Sequence, residues 1–120
     1  MTMNRSIITV FASALMMLAL PLRGQEWVVP EAEAALSNPM EYSLEHVKQG
    51  KTIYTKNCKS CHGDPGKNNP LKLVPMPSDM ASEKMQANSE GGLFYKITTG
   101  KGLMPPFEST ISENDRWILV

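Results

Sequence analysis

Two cysteines occur in this 120-residue chain, and both lie in Cys58-Lys59-Ser60-Cys61-His62. Thiols three positions apart stand about one helical turn from each other. At that separation both sulfurs reach the two vinyl groups on one edge of a haem and form thioethers. The next residue, His62, is then carried beneath the ring, where its imidazole ligates the iron. C-x-x-C-H is the attachment pattern of c-type haem, here one per chain, held by Cys58 and Cys61. Two other chemistries use paired cysteines. A thioredoxin-like dithiol needs a strand ahead of the motif and a βαβ setting. The segment before Cys58 is instead lysine-rich with helical spacing. A zinc site needs a second Cys or His pair, and none follows.

A haem held from one side by His62 leaves a sixth position on the iron. Met76, Met80, Met85 and Met104 follow the motif. Met104 sits in Gly100-Lys101-Gly102-Leu103-Met104-Pro105-Pro106-Phe107. Glycines and prolines at that density make a loop of defined dihedrals rather than a helix face. Its thioether is the expected partner opposite His62, an arrangement that raises the iron potential. Met80 and Met85 read as packing residues. Met76, between two prolines, is the alternative ligand, and a vacant or water-bound iron is another. His46 reads as a surface or capping histidine, with iron ligation as its alternative. The second ring nitrogen of His62 needs a partner to fix its orientation. A backbone carbonyl in the following loop fits, with Pro70 the first choice.

The elements that must position these groups are helical. Ser43 can cap a helix, and Val47, Gly50, Tyr54 and Cys58 then fall on one face. Gly50 on that face predicts close approach of a backbone or a ring. After His62 the run Gly63-Asp64-Pro65-Gly66-Lys67-Asn68-Asn69-Pro70 is loop. Leu71, Leu73, Val74 and Met76 carry no periodicity and suit one edge of a flat ligand. Leu71 and Tyr54 are the expected pocket residues beside Pro70. A short helix is expected around Ser82 to Ala87. Another starts near Ser89 or Glu90 and ends at Gly100, with Leu93, Phe94 and Ile97 on its apolar side. Ser112 caps a final helix with Asp115 at its third position. Only eight residues, about 12 Å of helix, remain before Val120. No basic final turn or glycine cap closes it, so this helix is expected to be truncated, with one to three further turns in the natural protein.

Arg5 precedes the apolar run Ile7 to Leu20, the form of a secretory signal peptide. Residues 1–24 read as that signal, with cleavage after Gly24; an uncleaved membrane anchor is the alternative. Residues 25–42 read as an acidic, flexible leader with a short helix at Glu31 to Leu36. Residues 43–120 form the domain. Removing the signal leaves about 95 residues. A chain that short buries little apolar surface and needs a staple, which a covalent macrocycle supplies. Net charge is zero, but residues 25–45 hold five acids and no base. From His46 onward, ten Lys and Arg face seven Asp and Glu. That is not the basic stripe of a nucleic-acid binder. It suits an acidic redox partner, or is plain solvated surface.

Together Gly50 and Tyr54, Cys58-Cys61-His62, the Met104 loop and the helix with Trp117 resemble the class I monohaem cytochromes c, especially small bacterial ones. The resemblance covers residues 43–120; the leader has no counterpart in it. It implies an all-α cytochrome c fold, three to five short helices wrapped around one covalently bound haem. The first helix then crosses the last near Gly50 and Tyr54. It also implies an exported, non-enzymatic, monomeric one-electron carrier with no membrane span after signal cleavage, working in the periplasm between a dehydrogenase or reductase donor and an oxidase or reductase acceptor. Lys56, Lys59, Lys67, Lys72, Lys96 and Lys101 would ring the haem edge for docking, or simply solubilise the surface. Two other readings keep the haem: the electron-entry subunit of a periplasmic dehydrogenase complex, with the leader as docking arm, and a gas- or ligand-binding haem protein.

Overall fold

A computed structural model describes residues 26–67 and 71–120 of the chain. The expected signal peptide and its cleavage site lie outside these residues, and so does Pro70. The described residues form six helices: α1 (Glu31–Ala34), α2 (Leu44–Asn57), α3 (Lys59–His62), α4 (Glu83–Gln86), α5 (Glu90–Thr99) and α6 (Glu113–Leu119). Four start on a serine whose hydroxyl accepts from the first turn: Ser43 from His46 N–H, Ser82 from Met85 N–H, Ser89 from Gly92 N–H and Ser112 from Asp115 N–H. Each such cap satisfies one of the N–H groups that a helix start leaves orphaned. α1, α3 and α4 are single turns, and α1 belongs to the leader.

Three longer helices build the frame. α2 and α6 meet where Gly50 is buried. A Cβ on Gly50 would stand 2.9 Å from the Ile118 carbonyl oxygen. Only a residue without a side chain lets the two backbones approach so closely. Gln49 Nε2 donates to Asp115 Oδ1 at 2.7 Å beside the same seam. The α2–α6 crossing near Gly50 is therefore present, and Ile118 fills it. Trp117 turns toward α5 and stacks on Phe94, with ring centroids 3.9 Å apart and planes 10° from parallel. Val47, expected on the packing face, is 51% exposed.

Phe94, Ile111 and Trp117 are the buried apolar side chains of the described residues. Arg116 is buried with them, its guanidinium carbon 5.3 Å from the Phe94 ring centre. Arg116 Nη1 donates to the carbonyls of Glu108 (2.9 Å) and Ile111 (2.6 Å). The charge is thus held by backbone dipoles and an aromatic face, and it ties the 108–111 turn onto α6.

The leader carries the expected short helix, α1, and makes contacts with the domain. α1 lies on the start of α5, where a Cβ at Gly91 would fall 2.0 Å from the Glu33 carbonyl oxygen. Gly91 N–H donates to the Leu36 carbonyl at 3.1 Å. Asn38 N–H donates to Glu90 Oε2 (2.9 Å), and Asn38 Nδ2 donates to the Trp117 carbonyl (2.9 Å). Acidic composition argued for solvation; backbone hydrogen bonding and a glycine seat outweigh it.

Candidate functional site

α2 ends at Cys58, whose N–H still bonds the Tyr54 carbonyl, and α3 continues with Cys61 and His62. The Cys61 and His62 N–H groups both donate to the Cys58 carbonyl, at 3.1 and 2.9 Å. The motif is one tight turn, and no disulfide closes it. Burial, with a smaller contribution from Cys61, pushes the Cys58 thiol up to about 11. That thiol stays protonated at neutral pH, whereas a dithiol oxidoreductase needs a depressed value. Among the described residues no three Cys, His, Asp or Glu side chains gather to hold a metal ion, so a zinc site has no ligand set here.

His62 is oriented from outside the motif. Its Nδ1 lies 2.8 Å from the Ser78 carbonyl oxygen. A carbonyl only accepts, so Nδ1 carries the proton and Nε2 keeps the lone pair that binds iron. The expected partner was Pro70, which is outside the described residues; the carbonyl facing Nδ1 is that of Ser78. Asp79 fixes this strand of chain: its Oδ1 accepts from Gly66 N–H and Ala81 N–H, both at 2.9 Å. The same carboxylate thus clamps the loop leaving His62 to the turn that presents Ser78. Neither residue was singled out from the sequence. The Pro77-Ser78-Asp79 punctuation is the signal, since Asp readily bonds backbone two residues on.

Tyr54 supports the other side. Its hydroxyl donates to the Gly63 carbonyl at 2.7 Å, directly after His62. Burial raises its pKa, with the negative forms of Cys58, Asp79 and Asp64 adding. Lys59 and Asp64 form an ion pair across the same turn at 2.9 Å, with both side chains about half exposed. At that exposure the pair contributes little to stability.

Met104 stands in a turn closed by two backbone bonds. Lys101 N–H donates to its carbonyl (2.9 Å), and Met104 N–H donates to the Lys101 carbonyl (3.1 Å). Phe107 N–H ties the loop to the Ile97 carbonyl at 3.1 Å. Gly100 ends α5 at φ 62°, and a Cβ there would meet Met104 O, Pro105 C and Pro106 N, all at 2.5 Å. Both the left-handed dihedral and the crowding require glycine. Met76 is exposed. His46 Nδ1 donates to the Glu41 carbonyl at 2.7 Å, at the first turn of α2, which ties the segment before the helix to its start.

The residues present fit a haem. The chain offers two thiols on one turn and an imidazole with a fixed tautomer. It also places Leu71, Val74, Met76 and Leu103 at its surface, Val74 at 91% exposure. Apolar side chains in the segments flanking a ligand loop suit a flat, largely apolar ring.

The carboxylates set an acid limit on this arrangement. Backbone N–H bonds from Gly66 and then Ala81 hold the Asp79 carboxyl below its ordinary range. Asp64 is lowered as well, chiefly by its hydrogen bond from Lys59. A depressed folded value gives stability that is present above the unfolded value, about 3.9, and lost as pH falls through the folded one. The contacts that Asp79 makes with Gly66 and Ala81, and Asp64 with Lys59, should therefore loosen below about pH 4. Asp79→Ala should show that loosening already at pH 7, read as faster hydrogen exchange at the Gly66 amide. Unchanged protection there would remove Asp79 from the positioning of Ser78.

Residues 45–120 match the family model described as cytochrome c oxidase, cbb3-type, subunit III. The chain is 32% identical over 69 residues to cytochrome c6 of Petalonia fascia, covering 58% of this chain and 79% of that protein. It is 39% identical over 67 residues to cytochrome c6 of Synechocystis sp., covering 55% and 53%. A solved structure of a Kustc0563 point mutant superposes with a TM-score of 0.53 at 23% identity, over 59% of this chain and 89% of that one; this likeness concerns the fold.

Proposed function

This chain belongs to the c-type cytochromes, in the family of cbb3-type cytochrome c oxidase subunit III, and from that premise we propose that it is an exported one-electron carrier with His62 and Met104 as axial ligands. It is a class I monohaem c-type cytochrome of all-α fold, an electron carrier and not an enzyme, with covalently bound haem c. When bound, the haem supplies the ferrous–ferric couple. Cys58 and Cys61 anchor it, and His62 is pre-set for the iron by its bond to Ser78. That 2.8 Å contact is the observation that carries the reading. Met104, held in its two-bond turn, supplies the thioether. Both ligands sit on braced backbone, so little rearranges when the charge changes by one.

The partners are redox proteins. An oxidase as acceptor agrees with the oxidase subunit named in the family description; a dehydrogenase or reductase is the donor. A periplasmic site of action agrees with the signal-like residues 1–24. No helix among the described residues is long and apolar enough to cross a membrane. A dehydrogenase-subunit role with the leader as docking arm loses its main support, since the leader is engaged on α5.

Spectra test the ligation. Wild-type ferrous protein should not change on adding carbon monoxide, and its ferric form should show a sulfur–iron charge-transfer band. Met104→Ala should abolish that band, bind carbon monoxide stoichiometrically and lower the potential, because a thioether favours ferrous iron. An unchanged spectrum in this variant would move the ligand to another residue. A wild-type protein that takes up carbon monoxide would favour the ligand-binding reading.

A further inference from the structure

The leader reaches the Met104 loop. The Trp27 ring faces two ammonium groups, Lys96 Nζ at 5.8 Å and Lys101 Nζ at 5.9 Å from its centre. Lys101 Nζ also donates to the Glu26 carbonyl at 3.4 Å. Glu26 and Trp27 face Tyr95, Thr99 and Gly100 across a shallow hollow. Lys101 is the residue whose backbone makes both bonds to Met104. Its side chain is therefore held by the leader while its main chain holds the methionine. The arm carrying Trp27 is itself anchored downstream, by Leu36 on Gly91 and by Asn38 on Glu90 and Trp117.

We propose that the leader is a strap that positions Met104, with Trp27 and Lys101 as its positioning residues. For the iron, this rests on the reading of Met104 as the distal ligand. An external ligand reaches the iron only after the 100–104 turn opens. The Lys101 contact resists that opening directly, and the Lys96 contact seats the ring on α5. Removing the ring takes both contacts away and raises the open population by roughly tenfold. A phenylalanine keeps an aromatic face for the same two cations. None of this requires the strap to touch the haem, the motif or α2.

The experiment uses the ferric holoprotein, with imidazole as the competing ligand. Trp27→Ala should bind imidazole roughly tenfold more tightly, lose its charge-transfer band at lower imidazole, and exchange the Lys101 and Met104 amides faster. Trp27→Phe should restore most of each effect, and Lys101→Met should resemble Trp27→Ala. Exchange along α2 should stay as in wild type. Imidazole affinity and loop exchange within twofold of wild type in Trp27→Ala would overturn the proposal. An equal rise of exchange in α2 would do the same, because it would mark general destabilisation. Loop exchange does not depend on what Met104 binds. If Met104→Ala shows the ligation reading to be wrong, exchange alone still decides whether the strap holds the loop.

Discussion

Replacing both Cys58 and Cys61 by alanine should release all of the haem into acidified acetone, while the wild-type chain keeps it. Thioethers survive that solvent; axial bonds to the iron do not hold once the protein unfolds. Either single variant keeps one thioether and should retain the pigment. The double variant should also fail to hold its helices. Among the described residues only Phe94, Ile111 and Trp117 are buried apolar side chains, and a domain of this size is marginal without a staple. Far-ultraviolet circular dichroism of the double variant, purified without haem, should show that loss of helix. Free extraction of haem from the wild-type chain would refute covalent attachment.

Trp117→Ala should cost roughly 3–5 kcal/mol of unfolding free energy. Trp117 is 5% exposed and lies flat on Phe94. Its loss opens a cavity between α5 and α6 and also removes the aromatic pair, about 1 kcal/mol beyond burial. Phe94 is shared with the Arg116 guanidinium, so a shift of its ring disturbs the turn that Arg116 holds. A small domain has little more than 5 kcal/mol to lose, and the variant should be largely unfolded near 37 °C. Trp117→Phe keeps a ring on Phe94 and should lose clearly less. Urea unfolding of the holoprotein measures both. A loss below about 1 kcal/mol for the alanine variant would place the core elsewhere.

What the sequence made legible was local. Ser43, Ser89 and Ser112 announce helix starts because the hydroxyl bonds a neighbour three residues on. Gly100 announces a helix end for a similar reason, and C-x-x-C-H carries its own geometry. Gly50 was readable as a close approach, but not which atom approaches; Ile118 and Trp117 point to different neighbours on one short helix. The partner of His62 was not readable. Ser78 contributes a backbone carbonyl, which every residue has, across sixteen positions. The leader's seat on the domain was not readable for a related reason. Its glutamates suggest solvation, while its attachment runs through main-chain groups of Glu33 and Leu36 and one asparagine. Lys59, Lys96 and Lys101 were expected around the haem edge, yet each has a contact within its own chain: Asp64 for the first, Trp27 for the other two.

The bond from Asn38 to the Trp117 carbonyl joins residues 79 positions apart, and Gln49 meets Asp115 across 66. Residues 58–62 lie between these partners. If the chain is exported with its N-terminus first, the two thiols emerge before α6. Closing so long a loop is slow compared with forming α2 and its turn. In an exported chain the attachment machinery would therefore meet the two thiols on an open chain. α6 acts afterwards as a latch: with Ile118 seated on Gly50 and Trp117 on Phe94, it fastens α2 to α5.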